Sequence, residues 1–556
     1  EGRQPGEWGH WTGQGMNWNA NCAWCHMTDY HKNFDLETNS YHSTWLEQGV
    51  SCLQCHTGME EHVANADKPG YTSTVKTLSP DQIMANCASC HSRRDELHGD
   101  NFRPGDAYHQ FFSLSLPDQP GLYYPDGQIL DEDYVYASFM MSRMGHAGIT
   151  CLDCHNPHSG QTILPFENNA LCMRCHDTGL NGATVIKPLE HSHHAEGSAG
   201  NQCVSCHMPE TTYMQRDPRR DHGFLSPDPL MTRELGIPNA CSTCHSDQSV
   251  DWAVEWTEKW YGDRMAERPQ RQRAQALSLA YAMQPAGADA LLALARMEDV
   301  AAWRATYVGL MELYLDREDI LTFVQSALKD ESPLVRERAV RALSVMPEAL
   351  PQLEPFLSDE ARNVRIAAER AFAANQVPIP NEEAAAEWKA YLTFHADRVD
   401  GAFQLANMAI ANGNAKRASQ LIEQAVQLDQ LNPAILHQGA VLYSGLGDNA
   451  SAEALLMRAL QLAPGEPSYH FALGLLAHET GDTEGSLVYF KNAVQLDPEF
   501  YRGWYTLGLA YTKLERWEEA LEALQMAAPA MAYDPGWQQA YAVTARALRD
   551  KQRQGQ

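Results

Sequence analysis

The spacing of apolar residues divides this 556-residue chain into two regimes near residue 250. Before that point, few stretches are long enough to bury a helical stripe. Gly, Pro, Asn, Asp and His are frequent, and the pattern predicts short helices joined by loops with little sheet. One piece, Tyr134-Val135-Tyr136-Ala137-Ser138-Phe139-Met140-Met141, reads as a helix leading into His146. From Trp252 onward the pattern becomes helical and repetitive. A first array, about 270–378, opens each turn on an Asp and follows it with an apolar-Arg pair: Asp299…Trp303-Arg304, Asp330…Val335-Arg336 and Asp359…Val364-Arg365. Two-helix units that cannot bury their own apolar face predict a solenoid similar to HEAT repeats.

A second array is more regular. Gln427-Leu428, Gln461-Leu462 and Gln495-Leu496 are preceded by Ala425, Ala459 and Ala493, each 34 residues apart. The turn pairs Gly413-Asn414, Gly447-Asp448, Gly481-Asp482 and Glu515-Arg516 keep that period, and Pro433, Pro464 and Pro498 start new units. A helix-turn-helix period of about 34 residues is the tetratricopeptide signature. Four units fill about 398–531, with a capping helix at Trp537–Arg549. The expected fold class is therefore mainly α: a first domain with little regular structure, followed by an α-solenoid, HEAT-like and then tetratricopeptide. The expected boundaries are 1–250, 251–378 and 379–556, with Val377-Pro378-Ile379-Pro380 between the two arrays.

The cysteines explain why the first half has so little aliphatic core. All fourteen fall in seven Cys-x-x-Cys-His motifs: Cys22-Cys25-His26, Cys52-Cys55-His56, Cys87-Cys90-His91, Cys151-Cys154-His155, Cys172-Cys175-His176, Cys203-Cys206-His207 and Cys241-Cys244-His245. Each thiol pair can form two thioether bonds to one haem, and the adjacent imidazole binds its iron. Zinc ribbons and redox disulfides also use Cys-x-x-Cys but leave the His unexplained. With 23 His in 556 residues, seven in register by chance is rarer than about one in a billion. Seven covalent haem c groups are expected, substituting for the missing core.

A second axial His suits low-potential haems. Twelve further His residues lie in the first half. The expected distal ligands are His10, His62, His146, His158, His191, His194 and His222. Asp221 could orient the His222 ring. His193 belongs to the same cluster as His191 and His194, from which two ligands are expected. His31, His42, His98 and His109 are weaker candidates.

The formal net charge of −29 argues against nucleic-acid binding and suits a basic redox partner or a metal cation. No run of 18 apolar residues exists, so no transmembrane segment is expected. Covalent haem attachment takes place outside the bacterial cytoplasm, which predicts export to the periplasm or cell surface.

Several stretches resemble a bacterial family. They are Asn17-Trp18-Asn19…Cys22-Ala23-Trp24-Cys25-His26, Trp45…Val50-Ser51-Cys52, Tyr134-Val135-Tyr136, Cys151-Leu152-Asp153-Cys154-His155-Asn156-Pro157-His158-Ser159, Cys203-Val204-Ser205-Cys206-His207-Met208-Pro209 and Arg219-Arg220-Asp221-His222. That family joins a multihaem domain, similar to the tetrahaem cytochrome of ammonia oxidation, to C-terminal tetratricopeptide repeats. The resemblance implies stacked, mostly bis-His haems related in arrangement to octahaem hydroxylamine oxidoreductase and pentahaem nitrite reductase. Family members often carry one more motif upstream of Asn17, which implies either a further N-terminal portion or a seven-haem version.

Two functions are weighed. The first is electron transfer along a row of haems, with the solenoid docking redox partner proteins or neighbouring cytochrome subunits, including assembly into a homo-oligomer or filament. The second is an oxidoreductase acting on a small nitrogen or sulfur compound at one five-coordinate haem. Arg93, Arg94, Tyr124, Tyr134, Tyr136 and Arg143 would be its candidate proton donors and cations, although no motif nominates a catalytic residue.

Overall fold

A computed structural model describes residues 17–56, 59–70, 78–213 and 217–554, without the side chains of 59, 60, 62 and 554. Among the described residues there are 29 α-helices, and the only sheets are five two-stranded antiparallel ribbons. The chain is mainly α with a repeat solenoid. Two compact units emerge. One holds Cys22–Lys32 and Ser43–Tyr391; the other holds residues 17–21, Asn33–His42 and the chain from Leu392.

In the first unit, residue 250 marks a change of composition without a change of core. Phe102, Tyr108, Phe112, Leu114, Leu116 and Met141 are buried together with Leu277, Trp303, Leu310, Val335 and Leu343 of the helical array. Trp303 Nε1 donates to Met141 O at 3.0 Å. Arg338, 1% exposed, donates to Asp118 Oδ2 at 2.6 Å and to Leu114 O at 2.7 Å. A guanidinium this deeply buried persists only when its charge is matched, and Asp118 and Glu337 match it.

The Asp…Arg repeat turns out to be a ladder between neighbouring units. Arg304 pairs with Asp330 at 2.9 Å, Arg336 with Asp359 at 2.9 Å, and Arg365 with Glu387 at 2.7 Å. Each Arg also caps its own turn, as Arg336 Nη1 does on Asp330 O and Glu331 O. Asp330 Oδ1 and Asp359 Oδ1 accept from the amides two residues on, which starts the helices Pro333–Leu343 and Arg362–Ala374. One acidic side chain therefore starts a helix and links two repeats.

In the second unit, nine consecutive helices run from Val399–Ala411 to Pro535–Gln554. Asn414, Asp448 and Asp482 each accept from the backbone amide three residues later, at 3.1, 3.1 and 2.8 Å, and so cap their helices. The glycines before them sit at φ of +70°, +76° and +94°, where a side chain is strained; the fourth turn holds Glu515 at +57°. Close helix approach needs a bare backbone at Gly474, where a Cβ would stand 2.5 Å from the Phe490 ring. Residues 17–21 and Asn33–His42 join this unit through Arg398, which donates to Ala20 O at 2.8 Å, and Tyr41 Oη, which donates to Asp397 Oδ2 at 2.9 Å.

Candidate haem-binding sites

Every motif occupies a tight helical turn. Ala23–His26, Ala170–His176, Cys203–His207 and Cys241–Cys244 are α-helical, and Pro80–His91 ends on the third motif. Cys52–Gln54 and Cys151–Asp153 are 3₁₀ turns. A helical turn places residues i, i+3 and i+4 on one side, so both thiols and the imidazole of a motif face the same volume. Local caps set two of these turns: Ser79 and Gln82 form a reciprocal capping box, as do Thr150 and Asp153. None of the fourteen cysteines is joined to another in a disulfide.

Four of the expected distal histidines stand opposite motif histidines. His158 faces His56 at a ring-centroid distance of 6.2 Å and an interplanar angle of 12°. His222 faces His155 at 6.3 Å and 27°, His191 faces His207 at 6.0 Å and 14°, and His194 faces His245 at 6.0 Å and 44°. Parallel rings in van der Waals contact sit closer, as His193 does on Trp260 at 4.2 Å and 15°. Two imidazoles bound trans to one metal, each nitrogen about 2 Å from it, have centroids roughly 6 Å apart. These pairs therefore fit an iron porphyrin between them.

Hydrogen bonds select the nitrogen left free. Nδ1 of His207 lies 2.9 Å from Leu225 O, that of His222 2.9 Å from Arg220 O, that of His176 2.8 Å from Thr184 O, and that of His194 2.6 Å from Ser192 O. A carbonyl can only accept, so Nδ1 carries the proton and Nε2 keeps its lone pair. Burial lowers the pKa of His207 and pushes that of His222 down to about 4, which keeps the His222 ring neutral at pH 7.

The remaining expected residues fall elsewhere. His146 directs Nε2 at Met140 O, 2.6 Å away, which occupies the nitrogen that would bind iron. The turn Met144–His146 folds the ring back onto the preceding helix, Tyr136–Met141, instead of leaving it open as its position five residues before Cys151 predicts. His10 and the His62 side chain lie outside the described residues. His31 Nε2 bonds Asn101, His42 bonds Ser40, and His98 accepts from the Asp100 amide. His109 is buried and lies in the field of Glu337 and Arg338. Asp221 does not bond the His222 ring; it accepts from the Ile129 and Gly223 amides.

Motif spacing gave no sign that thiols of different motifs would meet. Cys25 neighbours Cys90, Cys87 neighbours Cys151, and Cys172 neighbours Cys203, each thiol lying in the field of the other. Cys25 Sγ donates to the Cys90 backbone carbonyl at 4.0 Å. Arg174 Nη1 on Asp153 O at 3.0 Å joins the fifth motif to the fourth. Cys206 feels both Cys241 and Cys244, and Cys55 feels Cys87.

Four family profiles match parts of the chain: Tetratricopeptide repeat over 409–478 and 477–543, HEAT repeats over 288–373, Doubled CXXCH motif over 145–180, and Cytochrome c554 and c-prime over 10–57. The chain is thus similar to multihaem c-type cytochromes in its first half and to repeat proteins in its second, and the two haem profiles indicate covalently bound haem c. Curated relatives include Cilia- and flagella-associated protein 70 of Homo sapiens, 30% identical over 126 residues, and BBSome complex member BBS4 of Bos taurus, 30% identical over 136 residues. These matches cover 22% and 24% of this chain but only 11% and 25% of the relatives. Similar solved structures include MamA (17% identity, 26% of this chain and 90% of that one, TM-score 0.23) and the tetratricopeptide protein YrrB (20% identity, 37% and 98%, TM-score 0.25).

Proposed function

We propose that this chain carries electrons along a row of seven haem c groups, one on each motif, and that its repeats dock a redox partner protein or a neighbouring subunit. The observation that supports this reading is that cysteines of different motifs are neighbours, Cys25 with Cys90, Cys87 with Cys151 and Cys172 with Cys203, because porphyrin edges bonded to neighbouring cysteines lie close together. Bound haem supplies one-electron chemistry at its iron. The chain's own residues anchor and tune it. Each motif's cysteines fix a porphyrin edge, and His26, His56, His91, His155, His176, His207 and His245 present a proximal imidazole. His158, His222, His191 and His194 are proposed as distal ligands to the sites of His56, His155, His207 and His245. The carbonyls at Leu225 and Arg220 hold rings in the orientation a metal needs.

Segments 1–250, 251–378 and 379–556 are read as haem carrier, stiffening array and docking array. Export to the periplasm or cell surface follows from covalent haem attachment. The test is intact-mass measurement with low-temperature electron paramagnetic resonance of the oxidised holoprotein. Seven haem masses and low-spin ferric signals at the bis-His sites are expected. A dominant high-spin signal perturbed by nitrite, hydroxylamine or cyanide would replace the carrier with the oxidoreductase reading.

A further inference from the structure

Beside the third motif lies a buried carboxyl group with no hydrogen-bond partner. The strand after His91 runs antiparallel to 133–135: Val135 N donates to His91 O, and Arg93 N donates to Asp133 O, both at 3.3 Å. Tyr134, bridged to Ser92, holds a φ of +59°, a conformation disfavoured for a bulky residue. This turn drives the Asp133 side chain inward to 0% exposure, where neither carboxyl oxygen has a hydrogen-bond partner among the described residues. The hydroxyl of Tyr123, itself 2% exposed, is equally unpartnered, and Asp133 is the strongest charge acting on it.

Two other aspartates, buried Asp126 and half-buried Asp221, differ. Asp126 accepts from the Gln128 amide and side chain, and Asp221 from the Ile129 and Gly223 amides. Asp133 alone of these three lacks such a shell, so ionising it costs its full desolvation. Arg93 Nε, 3.5 Å away, favours the carboxylate, while Asp131 and Glu132 on the same segment oppose it. Tyr123, Tyr213, Asp221 and Arg219 complete the wall; Arg219 is already paired with Glu132 and Asp217. Burial carries the Asp133 carboxyl to about 8, within reach of neutral pH.

We propose that Asp133 binds a proton when the haem site of His91 is reduced and releases it on oxidation. The idea rests on the electron-carrier reading and adds a proton to it. A haem bound at that motif would take the electron from the redox donor, and a solvent proton would convert the Asp133 carboxylate to the acid, so that the added negative charge is offset locally. By linkage, proton affinity rises when the nearby electron arrives, and the midpoint potential rises with proton concentration by the same coupling.

The test is a potentiometric titration of the holoprotein at several pH values between about 6 and 9, followed optically. One haem should lose potential as pH rises, approaching about 59 mV per tenfold change in proton concentration for a one-electron step. Asp133→Asn should flatten that dependence and leave those of the other haems unchanged. An unchanged slope in Asp133→Asn overturns the proposal. Infrared redox-difference spectra of the wild-type holoprotein with isotope-labelled aspartate need no variant. A carboxylic C=O band gained on reduction supports the proposal, and its absence refutes it. If no haem can be reduced, the electron-carrier reading itself fails; reducible haems with pH-independent potentials refute the proton step alone.

Discussion

Residues 142–230 and residues 399–531 are built from opposite materials. In the first stretch, among the described residues, Val204 and Tyr213 are the only buried large apolar or aromatic side chains, although three motifs and nine histidines fall there. In the second, Leu421, Ile422, Leu436, Leu456, Phe490, Leu507 and Leu524 are all buried, in successive apolar clusters along the array. The contrast shows what each stretch requires to fold. The repeat array meets its own entropy cost by apolar burial, at about 25 cal/mol per Å². The motif-rich stretch has no comparable interior and depends on a large apolar group supplied from outside the sequence.

The largest expected effect comes from withholding that group. In protein made without haem attachment, amides within 142–230 should exchange hydrogen at nearly unprotected rates while those of 399–531 keep their protection, as read by mass spectrometry. Equal protection in both stretches would dissolve the comparison.

A smaller effect separates buried from exposed ion pairs. Arg338→Ala leaves Asp118 buried without its partner and should cost about 3–5 kcal/mol in denaturant unfolding. Arg417→Ala in the repeat array removes only a surface pair with Glu37, worth about 0–1 kcal/mol.

Glu369 sharpens the difference in pH response. It is fully buried, both its oxygens lack hydrogen-bond partners, and burial followed by the charge of Glu387 raises it to about 9 against the pull of Arg365 and Arg362. A carboxyl raised on folding binds more protons in the native state than in the unfolded one. Stability of this unit should therefore fall as pH rises from about 4.5 toward 9. Glu369→Gln should flatten that decline and add about 1–3 kcal/mol at pH 7, measured by urea unfolding across pH. The smallest change is Glu515→Gly, which relieves a left-handed backbone and should stabilise the repeat array by about 1 kcal/mol in thermal melts.

Parts of this molecule are legible from residue order because their causes are local. The Gly-Asn and Gly-Asp turns, with caps three residues ahead, need only neighbours in sequence, so the 34-residue array can be read directly. The Asp…Arg pairs were visible as a repeat, but their partners were not, because Arg336 finds Asp359 only after two helices have packed. The motif turns were readable for the same local reason. His158 and His222 were visible as candidates, but not the rings they would face, 102 and 67 residues away at His56 and His155.

Residue order alone determined the solenoid, the seven thiol-thiol-imidazole turns and the shortage of apolar residues around them, because each depends on spacings within a few turns of chain. Only the tertiary structure decided which imidazoles face one another, which motif cysteines are neighbours, and that Asp133 is sealed in without a hydrogen-bond partner. Those outcomes depend on packing between segments distant in sequence, where the free energy of one contact depends on all the others having formed.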